Sequence, residues 1–391
     1  MALHSGFFDL PWWGVTLVAL ALTHVTIASI TIFLHRHQAH RALDLASPAA
    51  HFFRFWLWLT TGIVTREWAA IHRKHHARCE TPEDPHSPQQ LGLLRVLFGG
   101  FFLYRREAKN LATLERYGLG TPNDWIERRV YAPLSFAGIL LMFAIDAVLF
   151  GILPGLAIWL TQMLWIPFWA AGVINGVGHY WGYRNYGTQD ASTNILPWGI
   201  LVGGEELHNN HHAFAISARL SCRWYEFDLG WFYIRLLAML GLATVKHVAP
   251  KPRLGALRPE VDALTLQAVI AFRYDLLARY ARSLKALYRA ELVGLHDGAR
   301  FKGLKRWLVA DAQKLSGEWR TKVDALLAQS QSLATLYRMR DELAAVWNRS
   351  NASREQLIKE LQDWCRRAEA SGIRPLQELS IRVRSYVPTP A

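Results

Sequence analysis

Three stretches of this chain are too long and too evenly apolar to alternate between a core and water. Residues 11–34 read PWWGVTLVALALTHVTIASITIFL, without one Asp, Glu, Lys or Arg. As a helix rising about 1.5 Å per residue they reach about 36 Å, enough to cross a hydrocarbon core of about 30 Å with some tilt. Residues 131–150 and 156–178 repeat the pattern, broken only by Asp146, and GILPG between them reads as a tight turn. These lengths predict membrane spans. A cleavable leader is not expected, because residues 1–10 hold no Lys or Arg and no small-residue cleavage site follows the apolar run.

Charge orients the spans. Arg36 and Arg41 follow the first run and no Lys or Arg precedes it, which puts the N-terminus outside and residue 35 in the cytoplasm. Arg128, Arg129 and Arg184 flank the 131–178 hairpin, so both its ends are expected on the cytoplasmic side. Residues 51–70 are apolar too, but Arg54, Arg66 and Glu67 shorten the uncharged part to 55–65. A crossing there would also put its neighbours in opposite compartments. A re-entrant or interfacial helix is predicted instead, with a second interfacial helix at 229–246, where Arg235 interrupts the apolar pattern.

The character changes at Pro250. KPRLGALRPE reads as a linker, and amphipathic helical patterns follow over 261–292, 322–347 and 353–370. The fold class expected is all-α: an integral membrane helical bundle with a soluble helical C-terminal region. The division predicted is 1–248 for the membrane domain and 249–391 for a basic cytoplasmic region. Residues 251–391 hold 25 Lys and Arg against 15 Asp and Glu, most of the net +13 of the chain. This suits an anionic leaflet. No nucleic-acid motif accompanies the charge, and no nucleic-acid partner is expected. Cys79, Cys222 and Cys365 form no CxxC and read as thiols in a reducing compartment, neither a disulfide frame nor a zinc cluster.

Nine of the 16 histidines fall in four places on the predicted cytoplasmic side. His35 and His40 lie in HRHQAH; His72, His75 and His76 in HRKHH; His179 in NGVGH; His208, His211 and His212 in EELHNNHH. In HxxHH, residues three and four apart share one helix face, so such a box can serve one metal or bridge two. His35 and His40, five apart, fall about 140° from each other on an α-helix and are expected to straddle a helix end. So many protonatable groups crowd together only if something holds them neutral, and a bound cation does so. Nine nitrogens exceed one coordination sphere, which predicts two metals. The boxes hold no thiolate, which argues against Cys-type structural zinc, while imidazole itself suits iron, zinc and copper alike. Asn175, four residues before His179, is a candidate to hold a metal-bound water, or else caps backbone. His24 is expected to be packed or hydrogen-bonded within the first span, and His86 to support the second box without ligating. His4, His37, His51, His247 and His296 are expected to stay outside the site.

The set HRHQAH, HRKHH, NGVGH and HNNHH resembles the membrane fatty acyl desaturases, in particular the bacterial acyl-CoA Δ9 (stearoyl-CoA-like) type, over about residues 10–248. Glu67–Trp68, EDPHSP at 83–88 and GYRNYG at 182–187 extend the resemblance. It implies a di-iron centre on the nine histidines, with Asn175 reaching one iron through water and zinc as a stand-in after overexpression. It implies O2 as co-substrate, insertion of a cis double bond into a saturated fatty acyl chain, and a separate electron-transfer protein of ferredoxin, rubredoxin or flavin-reductase type. The site would face the cytoplasm from the inner membrane, in contact with membrane lipid. Arg105 and Arg106 match the place where such enzymes contact coenzyme A phosphates, and Trp68 is a further candidate substrate contact. One departure matters: Ala70 stands where acyl-CoA members carry Arg, which leaves room for a phospholipid-bound chain. Other readings are a membrane di-iron hydroxylase of alkanes or sterols, a zinc-dependent membrane hydrolase, and a scaffold built on the C-terminal helices.

Overall fold

A computed structural model of the chain describes residues 5–294, 303–304, 308, 317–348 and 351–388. The chain divides into two compact units, Met1–Ala249 and Pro250–Ala391.

The first unit is helical. Its opening helix, α1, runs without a break from Trp12 to Ala39, α-wound to Ser29 and π-wound over Ile30–Ala39. Then come α2 (Ser47–Thr61), α3 (Thr65–Arg78), the short α4 (Pro88–Leu91), α5 (Leu93–Glu107) and α6 (Leu111–Tyr117). A helical hairpin follows, α7 (Ser135–Phe150) and α8 (Ile152–Val177), with α8 π-wound from Pro167. The unit closes with α9 (His208–Ala213) and α10 (Leu229–Met239).

Among the described residues two helices, α1 and α8, are long and apolar enough to cross a membrane. Of the apolar run expected at 131–150, Tyr131 ends a short π-helix (Glu127–Tyr131) and α7 begins only at Ser135; at 16 residues α7 is shorter than those two. Trp12, Leu140 and Leu164 stand exposed on α1, α7 and α8. The segment expected as one helix over 51–70 is two. It breaks at Gly62, which takes a left-handed φ of 62° and packs so closely on α7 that an added Cβ would lie 2.9 Å from Ile139 Cδ1. The break separates α3, and its box, from α2.

Small residues set the crossing of α5 and α8. Gly100 lies against the Ala171 carbonyl and Gly172 against that of Leu97, so neither tolerates a side chain. This contact places the last turns of α8, and therefore His179 just beyond them. A short antiparallel ladder pairs Leu43–Leu45 with Ala243–Val245 and closes the chain behind the first box.

The second unit contains α11 (Ala263–Ala271), α12 (Arg273–Gly294), α13 (Gly317–Leu327), α14 (Gln331–Asn348), α15 (Arg354–Ala370) and α16 (Arg374–Ser385). They pack around Leu276, Tyr280, Leu284, Leu336, Leu343 and Trp364. The pattern over 261–292 predicts one helix, but the backbone breaks at Phe272, whose ring is buried against Tyr386. The 322–347 pattern likewise divides between α13 and α14. No expectation anticipated α16.

Candidate metal centre

The π-wound end of α1 brings His35 and His40 together. In a helix with i→i+5 bonds, residues five apart lie one turn along on the same face. The His40 N–H donates to the His35 carbonyl at 3.0 Å, and the two rings stand 4.8 Å apart. The expectation that the pair straddles a helix end is thus half met: His40 caps the helix, but both rings face one point. Arg73, inside the second box, locks this turn by donating to the carbonyls of Gln38 (2.6 Å) and Ala39 (2.9 Å).

On α3, His72 and His76 are four apart and face the His35–His40 pair. His75 faces the other way. On α9 the division is mirrored: His211 joins the first group, while His208 and His212, four apart, join His75. Two clusters result. His35, His40, His72, His76 and His211 each offer a donor atom within 4.8 Å of all the others. In the second, His179 Nε2 lies 3.2 Å from His75 Nε2 and 2.9 Å from His208 Nε2, with the His212 ring 4.6 Å from those of His179 and His208. Each HxxHH box therefore splits between two points.

Carboxylates stand behind the rings. Glu205 accepts from His35 Nδ1 at 2.8 Å, Asp84 from His75 Nδ1 at 3.0 Å and Asp190 from His212 Nδ1 at 3.1 Å; Glu80 lies 3.5 Å from His179 Nδ1. An Nδ1–H so held leaves Nε2 with a bare lone pair pointing inward. None of these four acids was expected as a functional residue. Asp84 and Glu205 sit beside boxes in the sequence, but Asp190 is 22 residues from the ring it holds. Arg36 was also missed. Fully buried, it donates to both Asp228 oxygens, at 2.9 and 3.1 Å, and to the carbonyls of Ala218 and Gly203. This clamp ties α1 to the segment leading into α9 and to the start of α10.

Burial, reinforced by neighbouring imidazoles, holds His40, His72, His76, His208 and His211 well below the ordinary imidazole value. Burial brings His179 down to about 4. Burial works to raise Glu205, yet His35, Arg36 and Thr31 hold its carboxyl below the usual range. Burial lifts Glu206 to about 7.

This donor set fits metal. His211 Nε2 approaches His35 Nε2 at 3.1 Å and His76 Nε2 at 2.8 Å, while Glu205 takes the only proton of a neutral His35. A single proton on His211 serves one of those contacts and leaves the other as lone pair against lone pair. His212 Nε2 is buried without a hydrogen-bond partner. Cations at the two points turn these repulsions into ligation.

Other candidates lie around the clusters. Trp68 stacks on His72 at 4.9 Å, a wall of the first cluster. Asn175 is half-buried on the last turn of α8 and makes no hydrogen bond with any of the nine imidazoles. Arg105 lies over the Phe136 ring at 5.6 Å and Arg106 is exposed; neither touches an imidazole. His86 stacks on His75 at 4.4 Å. His24 bonds the Tyr233 hydroxyl at 2.7 Å and His37 the Leu43 carbonyl at 2.9 Å, both away from the clusters. His51 and His247 also lie outside them, while His4 and His296 fall outside the described residues. Cys79, one turn after His75 and outside the box itself, brings its sulfur to 3.9 Å from His75 Nε2.

Comparison with known proteins agrees with this geometry. A family model described as fatty acid desaturase matches residues 11–238. A second, described as transposase, matches 266–388, under a third of the chain. The chain is similar to "Probable lipid desaturase ADS3.2, chloroplastic" of Arabidopsis thaliana, 32% identical across 61% of this chain and 63% of the relative. It is similar to "Delta-9 acyl-lipid desaturase 1" of the same plant, 30% identical across 59% of this chain and 75% of the relative. It is also similar to "sn-1 stearoyl-lipid 9-desaturase" of Anabaena variabilis, 32% identical across 61% of this chain and 86% of the relative. The match of the family model to more than half of the chain, over the stretch that carries both clusters, identifies this protein as a member of the fatty acid desaturase family.

Proposed function

We propose that this chain is an O2-dependent desaturase that inserts a cis double bond, at Δ9, into a saturated fatty acyl chain at a histidine-held di-iron centre. The observation that carries the reading is the split of both HxxHH boxes. His35, His40, His72, His76 and His211 would hold one iron. His75, His179, His208 and His212 would hold the other, with Asn175 reaching it through water. When iron is bound, the centre supplies reduction of O2 to two waters, taking two hydrogens from adjacent methylenes and two electrons and two protons from outside.

The chain's own residues hold and shield. Glu205, Asp84, Asp190 and Glu80 keep the proton on Nδ1 and so aim Nε2 inward. Trp68 closes one side of the first cluster. The buried surroundings of the nine rings exclude water from a strong oxidant. With α1 and the α7–α8 hairpin in the bilayer, the clusters would sit at its cytoplasmic face, in the inner membrane of a bacterium.

Two acyl carriers compete. Arg105 and Arg106 support acyl-CoA, whose phosphates they would bind. Ala70, and the lipid desaturases among the relatives, support a glycerolipid-bound chain. Membranes carrying the protein, supplied with labelled stearoyl-CoA while acyl transfer is blocked, separate the two. Labelled Δ9 product in the CoA pool is the result expected, with KM raised in the Arg105→Ala/Arg106→Ala variant. Label that becomes unsaturated only after transfer to lipid supports the glycerolipid carrier, and no double bond in either pool rejects the desaturase reading.

For 249–391 we propose a docking role toward the membrane or the external electron donor, a ferredoxin, rubredoxin or flavin reductase. Deleting 255–391 is then expected to slow electron delivery but to leave the metal content unchanged. Nucleic-acid binding, suggested by the likeness of 266–388 to a transposase family, predicts instead salt-sensitive retention of DNA by the full chain.

A further inference from the structure

The second cluster contains a donor that its histidines do not account for. Cys79 lies one residue beyond α3, one turn after His75, and its Sγ is 3.9 Å from His75 Nε2 and 3.9 Å from His179 Nδ1. His75, Cys79, His179 and His212 each offer a donor atom within 4.8 Å of the others. The cysteine does not stand alone there: the His212 side chain is 2% exposed, Asp190 holds its Nδ1, and its Nε2 is buried without a partner. We infer that Cys79 is a sulfur ligand of the second metal, which makes that site a nitrogen–sulfur site and leaves the first all-nitrogen. This rests on the two-metal reading above.

The spacing suits a shared ion. Nitrogen at about 2.1 Å and sulfur at about 2.3 Å from one metal are 3.9 Å apart when they subtend about 125°. Glu80 and the sulfur share the Nδ1 side of His179, so it is with His75 Nε2, 3.9 Å away, that the sulfur would share the ion. As the sulfur–metal bond forms, the thiol proton passes to solvent and one metal-bound water leaves; nothing is oxidised or reduced. A thiolate there adds negative charge and softness to one metal only, so the two metals differ in ligand field and in preference among divalent ions.

Cobalt(II) loading of the full-length protein tests this. Visible ligand-field bands report ions in the histidine clusters, and a near-ultraviolet sulfur-to-cobalt band reports Cys79. Both are expected in the wild type, with the sulfur band lost in Cys79→Ser and kept in Cys222→Ser. Ligand-field bands without a sulfur band overturn the Cys79 assignment and leave the two-metal reading standing. Absence of both overturns the two together. X-ray absorption on the loaded wild type does not depend on the folding of a variant. One sulfur scatterer for every two metal ions is expected there, and its absence overturns the assignment.

Discussion

The backbone N–H of His40 donates to the carbonyl of His35 at 3.0 Å, an i→i+5 bond that ends the π-wound part of α1. This bond brings two imidazoles five residues apart to one point; on an α-helix the partner of His35 would be residue 39. Moving the imidazole by one position, in Ala39→His/His40→Ala, is therefore expected not to restore the metal content or turnover lost in His40→Ala. Metal analysis of the purified variants checks it, and full recovery in the double variant would mean that the turn is α-wound.

The carboxylates behind the rings act through the histidines. Glu205→Gln, Asp84→Asn and Asp190→Asn are each expected to weaken metal retention or turnover by about 10–100-fold, with the fold intact. Competition for iron against a chelator measures the first effect. Retention equal to wild type in all three would remove these acids from the site.

The Arg36–Asp228 pair is buried on both sides, with side chains 1% and 0% exposed. Asp228→Asn strands the guanidinium and is expected to cost about 3–5 kcal/mol. Arg36→Met/Asp228→Leu does not recover it, because the pair also serves the carbonyls of Ala218 and Gly203 and the N–H groups of Leu220 and Trp231. Thermal unfolding of the three proteins, all metal-free, decides it. Equal midpoints would show that the clamp contributes little.

Acid should open the centre. His40, His72, His76, His208 and His211 are held well below 6.5 when folded, and His179 near 4. Below about pH 6.5 the unfolded chain therefore binds more protons than the folded one, and stability falls with pH until the folded imidazoles also protonate. The metal-free protein is expected to melt lower at about pH 5.5 than at about pH 7.5, and metal retention is expected to fall over the same interval. A flat melting temperature would contradict this.

The helical character was legible in the apolar runs, and the nine clustered histidines in four short motifs. The missing parts have physical reasons. A π-turn carries no composition signal distinct from an α-turn, so His35 and His40 looked mismatched. Gly62 was one glycine in an apolar segment, and only its packing on Ile139 shows why the helix breaks there. Asp190 finds His212 through tertiary folding, which periodicity does not record. Which box residue serves which cluster became clear only once α3 and α9 faced each other.

The most direct test is turnover of a saturated C18 acyl substrate by iron-loaded protein with O2 and reductant, read by mass spectrometry. The account predicts a product lighter by two hydrogens, formed only with O2 present and absent in His76→Ala and His75→Ala alike. A product that has gained oxygen, or turnover by zinc-loaded protein without O2, would contradict it.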